Sequence, residues 1–296
     1  MSRYEQFIER MKNGELIMID GATGTECERR GIPLLDNAWN GGGALSHPEI
    51  VRQVHLDYLD LGAQLVISNT FATNLHALTE AGEGDRFDDY NRRGVELAIE
   101  ARTSHGNESI LVAGGISYWS WSGNHPTLKD LRNSIERQAT VMADAGADLL
   151  MLEMMIDIHK MKLALEAARL SGLPVWVGLS CEPDENGVMC LMNGEPLADT
   201  IDALDDYEVP LISIMHTPCH YIEACLDIVD EKWDGLVGVY PDTGEYEDDA
   251  MLFDTTLSPE QFRDHAQKLV KRRINLIGCC CGMGVDHLRA LREVMN

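Results

Sequence analysis

The chain has 296 residues, 45% of them hydrophobic, and carries 49 acidic against 24 basic side chains for a formal net charge of −25. A chain of that size buries a large core, and that charge repels a phosphate backbone, which argues against nucleic-acid binding and favours a small cationic substrate. Spread along the chain, the same acidity also serves solubility or a saline habitat. No apolar run approaches the roughly 18 residues of a membrane span, and residues 1–12 are polar rather than signal-like, so a cytoplasmic protein without a membrane role is expected. Eight cysteines in such a context are expected to be reduced thiols with metal or catalytic roles, not a disulfide framework.

Residues 16–19 read as a short buried strand ended by the polar loop Asp20-Gly21-Ala22-Thr23-Gly24-Thr25, with a helical turn at 26–30. A helix at 49–61 leads through Gly62-Ala63 into a strand at 65–68 that ends at Asn69-Thr70-Phe71. The same unit returns along the chain. Helices are expected at 90–103, 131–145, 158–171, 200–205, 222–230 and 259–271, each preceding a strand, at 110–113, 148–152, 175–179, 211–215, 236–239 and 274–277. A final amphipathic helix spans 285–295. Eight apolar strands alternating with helices require parallel pairing with helical crossovers and predict a single α/β domain, a (β/α)8 TIM barrel over 1–296. A doubly wound sheet is the competing architecture, but the glycine-rich dinucleotide fingerprint is missing after the first strand.

In a barrel the C-terminal strand ends converge on one mouth, where Asp20, Asn69, Glu153, His216, Tyr240 and the thiols of Gly278-Cys279-Cys280-Cys281-Gly282 would meet. Three consecutive thiols cannot all point one way, and flanking glycines let the backbone turn so that two of them face a common point. Zinc takes thiolate and imidazole ligands in a tetrahedron, with one position left open in catalytic sites, so Cys280, Cys281 and a histidine are a suitable set. His216 is the expected third ligand, with Cys219 or His220 as alternatives in the same loop; the thiols could also be small apolar fillers in a buried turn. Asp20 and Glu153 could reach an ammonium group in the mouth, although Asp20 could equally cap a helix. Tyr118, Trp119, Trp121 and Trp39 could form a cage for an alkylated cation or a hydrophobic lid.

With these residues in place, the chain resembles the homocysteine S-methyltransferase family, zinc-dependent TIM barrels that include betaine-homocysteine and S-methylmethionine-homocysteine methyltransferases. The resemblance spans nearly the whole chain. It is carried by residues 20–25, by Gly62-Ala63 with Ser68-Asn69-Thr70-Phe71, by Glu153, by Val239-Tyr240-Pro241 with Gly244-Glu245, and by 277–282 followed by His287-Leu288-Arg289-Ala290-Leu291. It implies zinc held at His216, Cys280 and Cys281, with His216 standing where the family has Cys, and amino-acid contacts at Asp20, Gly21 and Glu153. Cys279 replaces the family's Gly, Ser117-Tyr118-Trp119-Ser120 its Gly-Pro-Tyr-Gly loop, Met154 its Thr and Asp242 its Asn.

The function so implied is zinc-dependent transfer of a methyl group from a small sulfonium or ammonium donor to the thiol of homocysteine, giving methionine. Methyl transfer to another thiol or selenol is the alternative within that class. A zinc-dependent hydrolase is the alternative outside it, although such sites usually use several histidines and carboxylates. A non-catalytic zinc or thiol-sensing protein is the third reading.

Overall fold

The computed structural model describes residues 1–244 and 257–295; Glu245 lies outside the described residues. Ten strands are formed among the described residues: β1 (Ile17–Met18), β2 (Leu65–Ile67), β3 (Leu111–Ile116), β4 (Leu149–Met155), β5 (Val175–Leu179), β6 (Cys181–Pro183), β7 (Met189–Leu191), β8 (Leu211–Pro218), β9 (Leu236–Asp242) and β10 (Leu276–Ile277). Eight of them make one parallel sheet in the order β1-β10-β9-β8-β5-β4-β3-β2. A parallel bridge from Ile19 to Leu65 joins its two edges, with the Asp20 N–H donating to the Leu65 carbonyl at 3.0 Å. The α/β TIM barrel expected from the alternating pattern is therefore formed.

Period-2 alternation explains its layers. Ile17, Ile19, Leu65, Leu111, Leu149, Met151, Trp176, Leu211 and Leu276 fill the barrel interior. Their neighbours Met18, Val66, Val112, Leu150, Val177, Ile212, Val237 and Ile277 face outward into a second core with the helices. The interior is plugged from below by the helix Arg3–Lys12, which starts at a Ser2/Glu5 capping box and inserts Phe7 and Met11.

The structure departs from the sequence reading in three places. β3, β4, β8 and β9 each run three residues beyond the expected ends. Glu153, His216 and Tyr240 therefore lie within strands, not after them. Parallel pairing continues there across register shifts at 152/155 in β4 and 215/218 in β8. The hairpin β6–β7 was also not expected; its alternation is too short to stand out, and only the Asn186-Gly187 turn, with Gly187 at φ 80°, marks it. The third departure is the plug helix, which the polar composition of residues 1–12 concealed. No helix among the described residues is long and apolar enough to cross a membrane.

Candidate active site

The two register shifts build the site. Each contains a non-glycine residue in the left-handed region, Met154 at φ 57° and His216 at φ 45°. Such backbone is unfavourable for L-residues and persists only where the surroundings impose it. Breaking the alternation at 216 brings the imidazole into the mouth, with Nδ1 3.1 Å from Cys280 Sγ and Nε2 3.3 Å from Glu153 Oε2. The two sulfurs are 3.6 Å apart. Gly115 on β3 leaves the space that the Glu153 carboxylate occupies; a methyl group there would collide with Oε1.

The thiol loop is braced by the first strand's loop and helix. Thr25 Oγ1 accepts from the Gly282 N–H at 3.2 Å, Arg29 Nη2 donates to the Gly282 carbonyl at 2.9 Å, and Gly282 turns the chain at φ 78°. Cys279 points the other way and is fully buried in the helix-side core. Cys219 lies in that same core. One ligand atom each from His216, Cys280 and Cys281 lie within 4.8 Å of one another, the single group of this kind among the described residues. The spacing of two thiolates and an imidazole around one point suits a tetrahedral zinc with an open fourth position.

Electrostatics prepare these groups. Burial depresses the His216 imidazole, but the adjacent Cys281 and Glu153 outweigh it and raise it to about 10. The hydrogen bond from Cys280 draws the Cys281 thiol down to about 6 against the opposing effect of burial, with His216 assisting. Burial holds the Cys280 thiol well above its ordinary value. These shifts favour the charged forms of Cys281 and His216 and the neutral Cys280 thiol, and a bound metal would displace the protons that remain.

Two cavities meet at His216 and Cys281. The inner one sets the polar groups of Asn40, Ser68, Asn69, Glu153 and Tyr240 among the apolar side chains of Ala22, Ile67, Phe71 and Ala72. Its wall is itself hydrogen-bonded: Asn69 Nδ2 donates to the Asn40 carbonyl at 3.2 Å and Asn40 Nδ2 to the Gly24 carbonyl at 2.7 Å. The outer cavity is larger and aromatic, with Trp39, Phe71, Trp119, Trp121 and Tyr221 on its walls. Trp121 stands 5.8 Å from Trp39, 6.0 Å from Phe71 and 6.4 Å from Trp119 between ring centroids. Phe71 lies 5.1 Å from the His216 ring, at the junction of both cavities.

Most of the residues singled out in the sequence come together here, and three do not line either cavity. Asp20 is fully buried beneath the inner one, where Oδ2 accepts the Ile67 N–H at 2.8 Å, so it fastens β1 to β2. Burial raises its carboxyl well above the usual range, against the Ile67 hydrogen bond. Gly21 contributes its carbonyl to the Tyr240 hydroxyl at 2.7 Å. Tyr118 is turned inward, its hydroxyl accepting the N–H groups of Ile156 and Asp157 at 2.9 and 3.2 Å, so it supports the β4 end and stays out of the aromatic cage. Residues the sequence reading passed over as site members are Asn40, Phe71, Tyr221, Glu182 and Asp242. Phe71 carried a signal, since it closes the polar end of a predicted strand; Glu182 belongs to the unexpected hairpin and carried none.

Comparison with known proteins gives the family and supports the fold. The homocysteine S-methyltransferase family model matches residues 17–295. Homocysteine S-methyltransferase 2 of Arabidopsis thaliana is 25% identical, over 95% of this chain and 93% of its own length. Homocysteine S-methyltransferase YbgG of Bacillus subtilis is 25% identical over 93% of each chain, and the selenocysteine methyltransferase of Astragalus bisulcatus 26% identical over 96% and 93%. The metallated form of the homocysteine methyltransferase MmuM of Escherichia coli shares the fold, with a TM-score of 0.79 at 23% identity over 96% of this chain and 98% of that one. With the family pattern matched from β1 to the last helix, the chain belongs to the homocysteine S-methyltransferase family.

Proposed function

We propose that this methyltransferase moves a methyl group from a small sulfonium or ammonium donor to the thiol of homocysteine, giving methionine, with zinc held by His216, Cys280 and Cys281. The observation that carries this reading is the meeting of two cavities at His216 and Cys281, one holding Glu153, Asn40 and Asn69 and the other the aromatic rings. Zinc at that point supplies Lewis acidity that keeps the acceptor sulfur deprotonated at neutral pH. The chain's own groups do the rest. Glu153 Oε1 is buried with no hydrogen-bond partner, which suits it to receive the acceptor's ammonium group. Asn40, Ser68 and Asn69 offer polar contacts to the rest of the amino acid, while Tyr240 is held in place from below by Gly21 and Asp20.

The outer rings hold the donor's methyl-bearing cation against the acceptor sulfur by cation–π attraction and exclude water. The new bond runs from acceptor sulfur to methyl carbon, and the old bond's electron pair leaves with the donor heteroatom. That group departs neutral, so no general acid is required.

A selenol acceptor is the second reading, favoured by the match to a selenocysteine methyltransferase. The test is a mass-spectrometric assay of zinc-loaded protein with a methyl-labelled donor panel, offering homocysteine and selenocysteine separately and in competition. Labelled methionine formed in preference to methylselenocysteine supports the first reading, and the reverse order replaces it with the second. Transfer to neither acceptor from any donor overturns both. Glu153→Gln in the same assay is expected to raise the acceptor's KM by roughly 10- to 100-fold, the worth of a charge-assisted hydrogen bond, while zinc content stays unchanged.

A further inference from the structure

Glu153 and His216 belong to strands that are not neighbours in the sheet, since β5 runs between β4 and β8. Their side chains nevertheless meet, His216 Nε2 lying 3.3 Å from Glu153 Oε2, with only 9% and 6% of the two side chains exposed. The backbone is arranged for this contact. Both residues lie within the register shifts of their strands. Gly178 on the intervening β5 lets those strands approach: a side chain there would collide with the Met215 sulfur and come within 2.9 Å of the Leu152 carbonyl oxygen, on the residues just before His216 and Glu153. Phe71 packs against the imidazole, its ring tilted by 32° to it. The other ring nitrogen, Nδ1, stands 3.1 Å from Cys280 Sγ, and the two sulfurs are 3.6 Å apart. Those separations are near the edges of about 3.5–3.8 Å that a zinc tetrahedron with such donors would have.

We infer that Glu153 is a positioning residue of the metal site: its Oε2 accepts the His216 Nε2–H, so that the ring presents an unprotonated Nδ1 to a zinc ion shared with Cys280 and Cys281. This rests on the reading of those three residues as the zinc ligands. A neutral imidazole carries its one proton on either nitrogen, and a carboxylate, which accepts and does not donate, decides for Nε2. Without that acceptor the proton is as well placed on Nδ1, where it would point at the thiols, and the ring is freer to turn. The hydrogen bond to a negative group also makes Nδ1 the stronger metal donor. The carboxylate thus has one duty per oxygen. Oε2 fixes a ligand, while Oε1, buried without a partner, stays open to the acceptor's ammonium group.

The test reads metal binding without turnover. The zinc dissociation constant is measured by competition with a chromogenic chelator, with no acceptor present, for the parent, Glu153→Ala and Glu153→Gln, and for Glu153→Ala combined with His216→Cys. Glu153→Ala is expected to weaken zinc binding by about 10- to 100-fold. Glu153→Gln, whose amide oxygen can accept the same N–H, is expected to recover most of that loss. In the His216→Cys background, which has no ring to orient, Glu153→Ala should change the constant by less than about threefold. Magnetic resonance spectra of isotope-labelled histidine in the zinc-loaded parent, with the His216 signals identified by their loss in His216→Cys, should show a protonated Nε2 and a metal-bound Nδ1. Metal at Nε2, or an unchanged zinc constant in Glu153→Ala, overturns this inference and leaves the metal centre standing. A loss of equal size in both backgrounds, or a Glu153→Gln variant as weak as Glu153→Ala, gives the carboxylate no orienting role and also overturns it. A parent that binds no zinc removes the metal centre and this inference with it.

Discussion

Asp148 stands just before β4 and Glu153 within its upper part, and their surroundings differ in kind. At the lower end Asp148 receives Arg3 Nη1 at 2.7 Å, Arg102 Nη1 at 2.8 Å and the Val112 N–H at 2.9 Å. At the upper end Glu153 meets no cation but the His216 ring, and one of its oxygens is buried without a partner. The backbone follows the same division. Trp39, Met154 and His216, three of the four non-glycine residues with positive φ among the described residues, line the upper cavities, whereas the lower end is closed by Phe7 and Met11 in a regular helix, with Tyr4 accepting the Trp176 indole N–H at 3.0 Å. Satisfied polar groups and relaxed backbone stabilise; unmet groups and strained backbone cost stability but leave a binding capacity that a ligand can use. Stability and chemistry are thus sited at opposite ends of the same strands.

The comparison breaks most clearly at the ligands. Cys280→Ala and Cys281→Ala are expected to reduce bound zinc to near zero and methyl transfer by more than ~10³-fold, with far-UV circular dichroism unchanged. Cys219→Ala should keep the metal, because its sulfur is buried among the helix-side apolar groups. Elemental analysis of the three purified variants decides this, and full zinc in both Cys280→Ala and Cys281→Ala would remove the proposed metal centre.

The opposite end gives the opposite result. Phe7 is about 1% exposed and fully surrounded by barrel-interior side chains, so Phe7→Ala should destabilise the fold by about 3–5 kcal/mol through lost burial and the cavity left behind. In the folded fraction, zinc content and both Michaelis constants should match the parent. A changed acceptor constant would mean that the plug helix communicates with the mouth and that the two ends are not independent.

The lower end and the site were not equally legible in the sequence. Apolar strands such as 211–215 between helical stretches announce parallel strands buried on both faces, eight such units without a dinucleotide fingerprint favour a barrel over a doubly wound sheet, and the barrel in turn assigns Glu153, His216, Tyr240 and the thiols to one mouth. Spacing could not show the irregularities that aim them. The shift at His216 is a property of how β8 meets β9, and nothing in Met215-His216-Thr217 marks it. Asp20 was misleading for a physical reason: a carboxylate at a strand end looks the same whether it faces a ligand or, as here, accepts a neighbouring strand's N–H. Tyr118 was misleading in the same way, because its ring belongs to an aromatic run while its hydroxyl is used by the backbone of 156–157.

His55 belongs to neither end. It is fully buried on the helix Pro48–Asp60 with neither ring nitrogen hydrogen-bonded, and burial lowers its pKa from 6.5 to about 4. The unfolded chain takes up a proton below 6.5 that the folded chain refuses until about 4. Stability contributed by the neutral ring is therefore complete above the first value and is lost progressively as pH falls toward the second. Between about pH 7 and pH 5 the loss should be about 2 kcal/mol. Urea unfolding of the parent and of His55→Leu at both pH values isolates it, since other titrating groups cancel in the difference. An identical pH dependence in the two proteins would show that His55 is hydrated or protonated in the native state.

The smallest effect concerns strain itself. Met154 sits at φ 57° in the shifted part of β4, where an L-side chain costs about 1–2 kcal/mol and glycine costs nothing in steric terms. Glycine also loses the packing of a half-buried side chain and more conformational freedom on folding, so Met154→Gly should change stability by no more than about 1 kcal/mol. Met151 lies lower on the same strand, fully buried in the barrel interior with no such backbone, and Met151→Gly should cost about 2–5 kcal/mol, the range of large-to-small core changes. Denaturant midpoints of the two variants set the strain at the mouth against the packing below it on a single strand. If Met154→Gly proves as costly as Met151→Gly, the left-handed turn is held by what the side chain packs against, and the upper end of the barrel owes its shape to packing after all.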